Sequence, residues 1–281
     1  MSLDYTSYFN RLVASYETVD GFLPADSTRF PSLSEVKVVL VQLQRLLFPI
    51  HRDYVTPQRF AEFTEHLFTL LSPGCEHPQA LIEDFLLYLP QLRLELSLDA
   101  RAHFDGDPAA TSLQEVILAY PGFFAITVHR ISHFFYLKKV PLIPRLMSEY
   151  THSRTGIDIH PGAQIGASFC IDHGTGIVIG ETSVLGSHVK LYQGVTLGAI
   201  SIPKKGIIGK RHPTLGDRVT VYSGTTILGG ETHIGADTII GGNAWVTASI
   251  PANSKVYLTA DQRQVLKTEL EDTSALFGMG I

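Results

Sequence analysis

The stretch Asp158-Ile159-His160-Pro161-Gly162-Ala163-Gln164-Ile165-Gly166-Ala167-Ser168-Phe169-Cys170-Ile171-Asp172-His173-Gly174-Thr175-Gly176 carries isoleucine at 159, 165 and 171, six residues apart. The frame then slips by two and continues through Ile179, Leu185, Leu191 and Leu197. It resumes at Leu215 and Val221 and, after a one-residue slip, runs through Leu228, Ile234, Ile240 and Val246. Glycine follows many of these anchors, among them Ile165, Ile179, Leu185 and Leu197. Helices repeat every ~3.6 residues and strands every two, so neither has this period. A six-residue period predicts a parallel β-helix, one short strand and one tight turn per repeat, with the anchors stacked inward and glycine at the corners.

Ahead of the repeat the pattern is helical. Ser32-Leu33-Ser34-Glu35 is a capping-box sequence before Val36, Val39, Leu40, Leu43 and Leu47, which recur at helical spacing. Thr56-Pro57 places a cap residue before a proline at the first helical position. The apolar run Leu81 to Leu89 is expected to stop near Pro90. Ser112 with Glu115 repeats the capping pattern, and further helices are expected over 122–138 and 142–152. The fold class is therefore α+β. A helical domain over 1–152 precedes a β-helix over 153–260 with an inserted loop, and a polar tail covers 261–281.

Composition narrows the function. With 281 residues and 44% apolar content the chain is long enough for two structural units. Its formal charge of -5 argues against nucleic acid as a partner, since no basic excess exists to displace counterions. No apolar run approaches the ~20 residues that span a bilayer, so no membrane partner is expected. Two cysteines and a polar, acidic N-terminus fit a reducing, cytoplasmic setting.

Off-period ionisable residues mark the candidate site. His173 falls where the six-residue frame slips, at a corner where a branched aliphatic is not required. A neutral imidazole there suits proton removal near pH 7. Asp158, fifteen residues earlier, is close to one coil away and can lie beside it. The loop Asp105-Gly106-Asp107-Pro108 reads as a turn from its composition. The insertion 199–213 holds Lys204, Lys205, Lys210, Arg211 and His212, a basic cluster in an acidic chain. It is either a solvated loop or a contact to an anionic ligand. His129 and His133 stand four apart but lack a third ligand, so packing is expected and no metal. Cys170 is expected to pack inward.

The chain resembles the serine O-acetyltransferases of the hexapeptide acyltransferase superfamily. The resemblance runs from about residue 105 to 250. It rests on Asp158-Ile159-His160-Pro161, Ile171-Asp172-His173-Gly174-Thr175-Gly176, Ile179-Gly180-Glu181-Thr182, Gln193-Gly194-Val195-Thr196-Leu197-Gly198, Arg211-His212-Pro213 and Gly241-Gly242-Asn243. It implies a left-handed solenoid and acetyl transfer from acetyl-CoA to the hydroxyl of L-serine, giving O-acetyl-L-serine for cysteine synthesis. It implies His173 as general base with Asp158 as its orienting partner, and Asp107 and Asp172 holding the substrate ammonium. Arg211 would pair with the substrate carboxylate and His212 would contact the substrate side chain. Gly198, Ala199, Ser223 and Gly224 align with backbone that contacts the cofactor, and Lys204 or Lys205 would meet its phosphates. The resemblance also implies a homotrimer or dimer of trimers and feedback inhibition by L-cysteine. A C-terminal Ile281 would dock into O-acetylserine sulfhydrylase.

The sequence departs from the pattern in two places. Ala199-Ile200-Ser201-Ile202-Pro203 stands where a glycine-rich loop is usual, and Val256-Tyr257-Leu258-Thr259-Ala260 replaces a proline-containing closing motif. Three other functions are weighed. A hexapeptide acetyltransferase acting on a sugar or an antibiotic shares the scaffold. A hydratase of the carbonic anhydrase type needs a three-histidine metal site, and His173, His188, His212 and His233 are too scattered for one. A non-catalytic scaffold would regulate a partner through the tail.

Overall fold

The computed structural model of the chain describes residues 4–16, 31–200, 209–258 and 264–267. Lys204, Lys205 and Ile281 lie outside the described residues, as does the tail apart from 264–267.

Among the described residues seven α-helices come first: α1 (Tyr5–Tyr16), α2 (Leu33–Leu47), α3 (Pro57–Leu71), α4 (Pro78–Gly106), α5 (Leu113–Ala119), α6 (Pro121–Leu137) and α7 (Ile143–Thr155). The start of α2 is a complete capping box: Ser32 accepts the amide of Glu35, and the Glu35 carboxylate accepts that of Ser32. Thr56 caps α3 with Pro57 in its first turn. Ser112 caps α5, but the Glu115 carboxylate turns to the amide and hydroxyl of Thr111 instead of completing a box.

Pro90 does not end its helix. It lies inside α4, which continues sixteen residues past it to Gly106. A proline there removes one backbone hydrogen bond. Buried Phe85 on one side and Leu92 and Leu96 on the other hold the helix to the core across that gap. The aromatic stripe of α6 packs as expected, with Phe134 and Phe135 both against Phe85.

Fifteen strands follow among the described residues: β1 (Asp158–Ile159), β2 (Gln164–Ile165), β3 (Cys170–Asp172), β4 (Val178–Ile179), β5 (Val184–Leu185), β6 (Lys190–Tyr192), β7 (Thr196–Gly198), β8 (Thr214–Leu215), β9 (Thr220–Val221), β10 (Thr226–Leu228), β11 (His233–Ile234), β12 (Ile239–Ile240), β13 (Trp245–Val246), β14 (Lys255–Leu258) and β15 (Gln264–Lys267). They form three sheets, ordered β1-β4-β7-β10-β13, β2-β5-β8-β11 and β3-β6-β9-β12-β14-β15. Through β13 every parallel pairing joins strands three elements apart, and β12 then pairs with β14, so the sheets are the three faces of a triangular coil. The fold is the helical region followed by a left-handed parallel β-helix that the family resemblance implied.

Register explains the slips. Asp158 pairs with Val178 and Val178 with Thr196, so the first coil is two residues longer than the second. Thr196 pairs with Thr226, across the insertion, without loss of alignment. One anchor differs from the sequence reading. Ile227, fully buried, stacks on Leu197, whereas Leu228 lies opposite Gly198 and is only partly buried. Two adjacent aliphatics left the one-residue slip ambiguous, and it falls after Ile227.

The solenoid's first coil is closed by helices. Asp99 of α4, fully buried, takes a bidentate pair from Arg130 of α6 at 2.6 and 2.9 Å and accepts the Phe169 amide at 2.9 Å. Arg130 donates onward to the carbonyls of Ile165 and Gly166. His103, one turn after Asp99, accepts the Ile171 amide on Nε2 and donates from Nδ1 to the Asp99 carbonyl. These contacts supply partners to backbone groups that have no strand above them. At the other end β15 pairs antiparallel with β14 and ends the parallel stack.

Candidate active site

His173 follows β3 at a corner and adopts a left-handed backbone, φ 58°, with Gly174 at φ 91° and Gly176 at φ 81°. This run turns the imidazole outward, and its side chain is 62% exposed. The Asp172 carboxylate divides its oxygens: Oδ1 lies 3.7 Å from His173 Nε2, and Oδ2 is 2.8 Å from Lys190 Nζ. Lys190 also donates to the Gly106 carbonyl at 2.6 Å and stands 4.4 Å from the centre of the Tyr192 ring. Burial pulls the Lys190 ammonium down, but its pairing with Asp172 and its contact with Tyr192 outweigh that and raise its pKa.

Asp107 follows the end of α4, next to the carbonyl that Lys190 holds. Its Oδ2 accepts the Tyr120 hydroxyl at 2.6 Å and its Oδ1 the Ala109 amide at 2.9 Å. The bond from Tyr120, then that from Ala109, keeps the carboxyl below its usual range, and Lys190 and His173 add to the effect. The same contact pushes the Tyr120 hydroxyl up to about 12. Asp107, Asp172, Lys190 and His173 are thus one electrostatic cluster.

Arg211 and His212 lie elsewhere, at the other end of β4. The Thr182 hydroxyl accepts the amides of Arg211 and His212 at 2.9 and 3.0 Å, which fixes the end of the insertion to the β4–β5 corner. His212 Nδ1 accepts the Thr182 amide at 3.1 Å and lies 2.9 Å from its hydroxyl. An acceptor at Nδ1 leaves the ring proton on Nε2. Burial, then the neighbouring Arg211, lowers the His212 pKa to about 4, so the ring is a neutral Nε2–H donor. Arg211 is ion-paired with Glu181, whose other oxygen accepts the Tyr136 hydroxyl at 2.8 Å. No hydrogen bond or ion pair joins this group to the His173 cluster among the described residues.

The remaining predicted residues divide between the same two corners. Gly198 and Ala199 leave β7 at the Arg211 corner. Ser223 and Gly224 lie on the His173 corner, where Gly176, Gly194 and Gly224 stack with φ of 81°, 72° and 69°. A side chain at Gly224 would overlap the Asn243 amide below it.

Asp158 is not hydrogen-bonded to His173. Among the described residues its carboxylate accepts no hydrogen bond, and it groups instead with Glu149 and His152, ligand atoms of all three lying within 4.8 Å of one another. Cys170 is buried, which pushes its thiol up to about 12. His129 is buried with its pKa lowered by burial, its ring stacked on His133, which bonds the Pro161 carbonyl.

Lys190, Tyr120 and Tyr136 were not named as site residues by sequence reasoning, and Glu181 was quoted only within a motif. Lys190 was findable: the two-residue slip sets it beside Cys170 in the β3–β6 pairing, on the outward side that Asp172 also occupies. Tyr120 and Tyr136 come from helices whose docking no local pattern specifies.

No family model matches the chain. Among curated relatives, the plasmid serine acetyltransferase of Synechococcus elongatus is 50% identical over 184 residues, 64% of this chain and 57% of its own. The serine acetyltransferase of Staphylococcus xylosus is 47% identical over 158 residues, 56% of this chain and 71% of its own. The chain spans little more than half the length of the first three curated relatives it matches. Among solved structures, Entamoeba histolytica serine acetyltransferase 1 in complex with L-cysteine superposes with a TM-score of 0.73 at 32% identity, over 90% of this chain and 97% of that one. Neisseria gonorrhoeae serine acetyltransferase in complex with serine gives 0.60 at 28% identity, over 90% and 93%.

Proposed function

The chain belongs to the serine acetyltransferase family, and on that premise we propose that it transfers acetyl from acetyl-CoA to the hydroxyl of L-serine, giving O-acetyl-L-serine for cysteine synthesis. The observation that carries this reading is the cluster at the His173 corner. An exposed imidazole there adjoins two carboxylates, Asp107 and Asp172, a charge pattern suited to the amine of an amino acid.

In the proposed reaction His173 takes the proton of the serine hydroxyl as its oxygen attacks the thioester carbonyl. The carbon–sulfur bond then breaks, and the imidazolium returns that proton to the departing thiolate. Asp107 and Asp172 hold the ammonium. Arg211 receives the substrate carboxylate in place of Glu181, and the Nε2–H of His212 donates to the substrate oxygen. Asp158 is the proposed acidic partner of His173. Because Asp172 is the carboxylate 3.7 Å from the ring in a single protomer, Asp158→Asn and Asp172→Asn separate the roles: the first should lower kcat and the second should chiefly raise KM for serine.

The division of these groups between two corners supports a homotrimer, in which the His173 corner of one copy faces the Arg211 corner of the next. A dimer of trimers builds on the same unit. The expected coenzyme A contacts divide likewise, Ser223 and Gly224 with His173, Gly198 and Ala199 with Arg211, and Lys204 from the insertion. L-cysteine, carrying the same amino and carboxyl groups, is the proposed feedback inhibitor at this site. The Ile281 carboxylate is the proposed ligand of O-acetylserine sulfhydrylase. No helix among the described residues is long and apolar enough to cross a membrane, and a cytoplasmic location is proposed. Thiol release from acetyl-CoA tests the function. Turnover with L-serine is expected, and turnover with an amino sugar but not with serine overturns it.

A further inference from the structure

Lys190 stands inside the amine-binding corner, and the proposed reaction gives it no part. Its side chain is 17% exposed and that of Asp172 16%. Two of its three N–H donors are spent on Asp172 Oδ2 and the Gly106 carbonyl, and the Tyr192 ring lies 4.4 Å from the nitrogen. An ammonium held by an anion, a carbonyl and an aromatic ring is fixed in place.

We propose that Lys190 is a specificity-determining residue, a resident ammonium that occupies one oxygen of the amine-binding carboxylates and so sets how tightly the site holds an incoming amine. The inference rests on the serine reading above. Asp107 and Asp172 carry two negative charges and Lys190 cancels one, so a single substrate ammonium brings the corner to neutrality. Asp172 Oδ1, on the His173 side, remains open to it, as does the unused capacity of Asp107. Without Lys190 the corner would be doubly negative and would retain amino acids, product and inhibitor included, more strongly. The residue therefore trades affinity for release.

The test uses the full chain and three variants. Lys190→Gln removes the charge and keeps a donor, Lys190→Met keeps the stem over Tyr192, and Lys190→Arg keeps the charge. Coulomb attraction between partly screened unit charges gives an expected fall of about three- to tenfold in KM for serine and in Ki for cysteine in Lys190→Gln and Lys190→Met. The change in kcat should stay within about twofold, the pattern of altered ground-state binding. Lys190→Arg should resemble wild type. Inhibition by 3-hydroxypropionate, which is serine without its amine, should be unchanged in all three. An unchanged or raised serine KM in both uncharged variants overturns the assignment, as does an equal shift for 3-hydroxypropionate. A wild-type chain that does not acetylate serine overturns the serine reading itself, which is a different result from an active wild type with unresponsive variants.

Discussion

Gly180 lies flat against the imidazole of His212, so closely that a methyl group there would overlap the ring. The backbone of β4 and the histidine of the insertion thus share one space. Gly180→Ala should tilt the ring away from Thr182, breaking the contacts that fix its tautomer. Displacement of a reacting group by about 1 Å can cost on the order of 10²-fold. The expected outcome is a fall of at least about tenfold in kcat. Steady-state kinetics on the purified variant measure it, and wild-type kcat would remove His212 from the reaction.

His173→Ala should cost about 10²–10⁴ in kcat, the range of a lost general base. The side chain is largely exposed, so thermal stability should be nearly unchanged. Coenzyme A affinity should also persist. Calorimetric titration with coenzyme A, beside the kinetics, separates a catalytic loss from a folding defect.

Asp99→Asn should be strongly destabilising. It leaves the buried Arg130 guanidinium facing an amide in place of a carboxylate, beside the Phe169 amide. Breaking a buried pair from one side costs about 3–5 kcal/mol. Replacing both residues, Asp99→Leu with Arg130→Met, should recover part of this, since no lone buried charge remains. Urea midpoints of the single and double variants give the coupling.

Acid should weaken the fold through histidines buried as neutral rings. Burial lowers the pKa of His103 and of His129, and burial followed by Arg211 lowers that of His212 to about 4. In the unfolded chain each titrates near its ordinary value of about 6.5. Below that pH the unfolded state binds protons that the folded state refuses. Stability is therefore fully present above about pH 6.5 and declines as pH falls towards each folded value. His103→Gln keeps an acceptor for the Ile171 amide without a titrating ring. The difference between its urea midpoints at pH 7 and pH 5 should be smaller than in wild type.

The solenoid was legible because its inward positions demand aliphatics at a period no other architecture uses. Ambiguity arose only where two aliphatics adjoin, at Ile227 and Leu228. Capping at Ser32 and Thr56 was legible because a cap is a local hydrogen bond. Pro90 misled because one lost hydrogen bond is outweighed by packing from other helices. At the site, motif matching named His173, Asp172, Arg211 and His212. It did not show that they occupy separate corners, nor that Lys190 holds Asp172. These are pairings between residues far apart in the chain, fixed by coil register and helix docking. The distance from Asp158 to His173 was likewise beyond reach, since spacing gives the coil and not the direction of a side chain.

The first coil is covered by Asp99, His103 and Arg130, and at the far end the antiparallel β15 ends one of the three sheets. A stack of parallel strands is otherwise an open template, ready to recruit another chain edge to edge. Cutting the solenoid free of α4 and α6 would bare the amides of Phe169 and Ile171 and invite fibre-like growth from that face. The helices are thus a guard against self-assembly in the wrong direction.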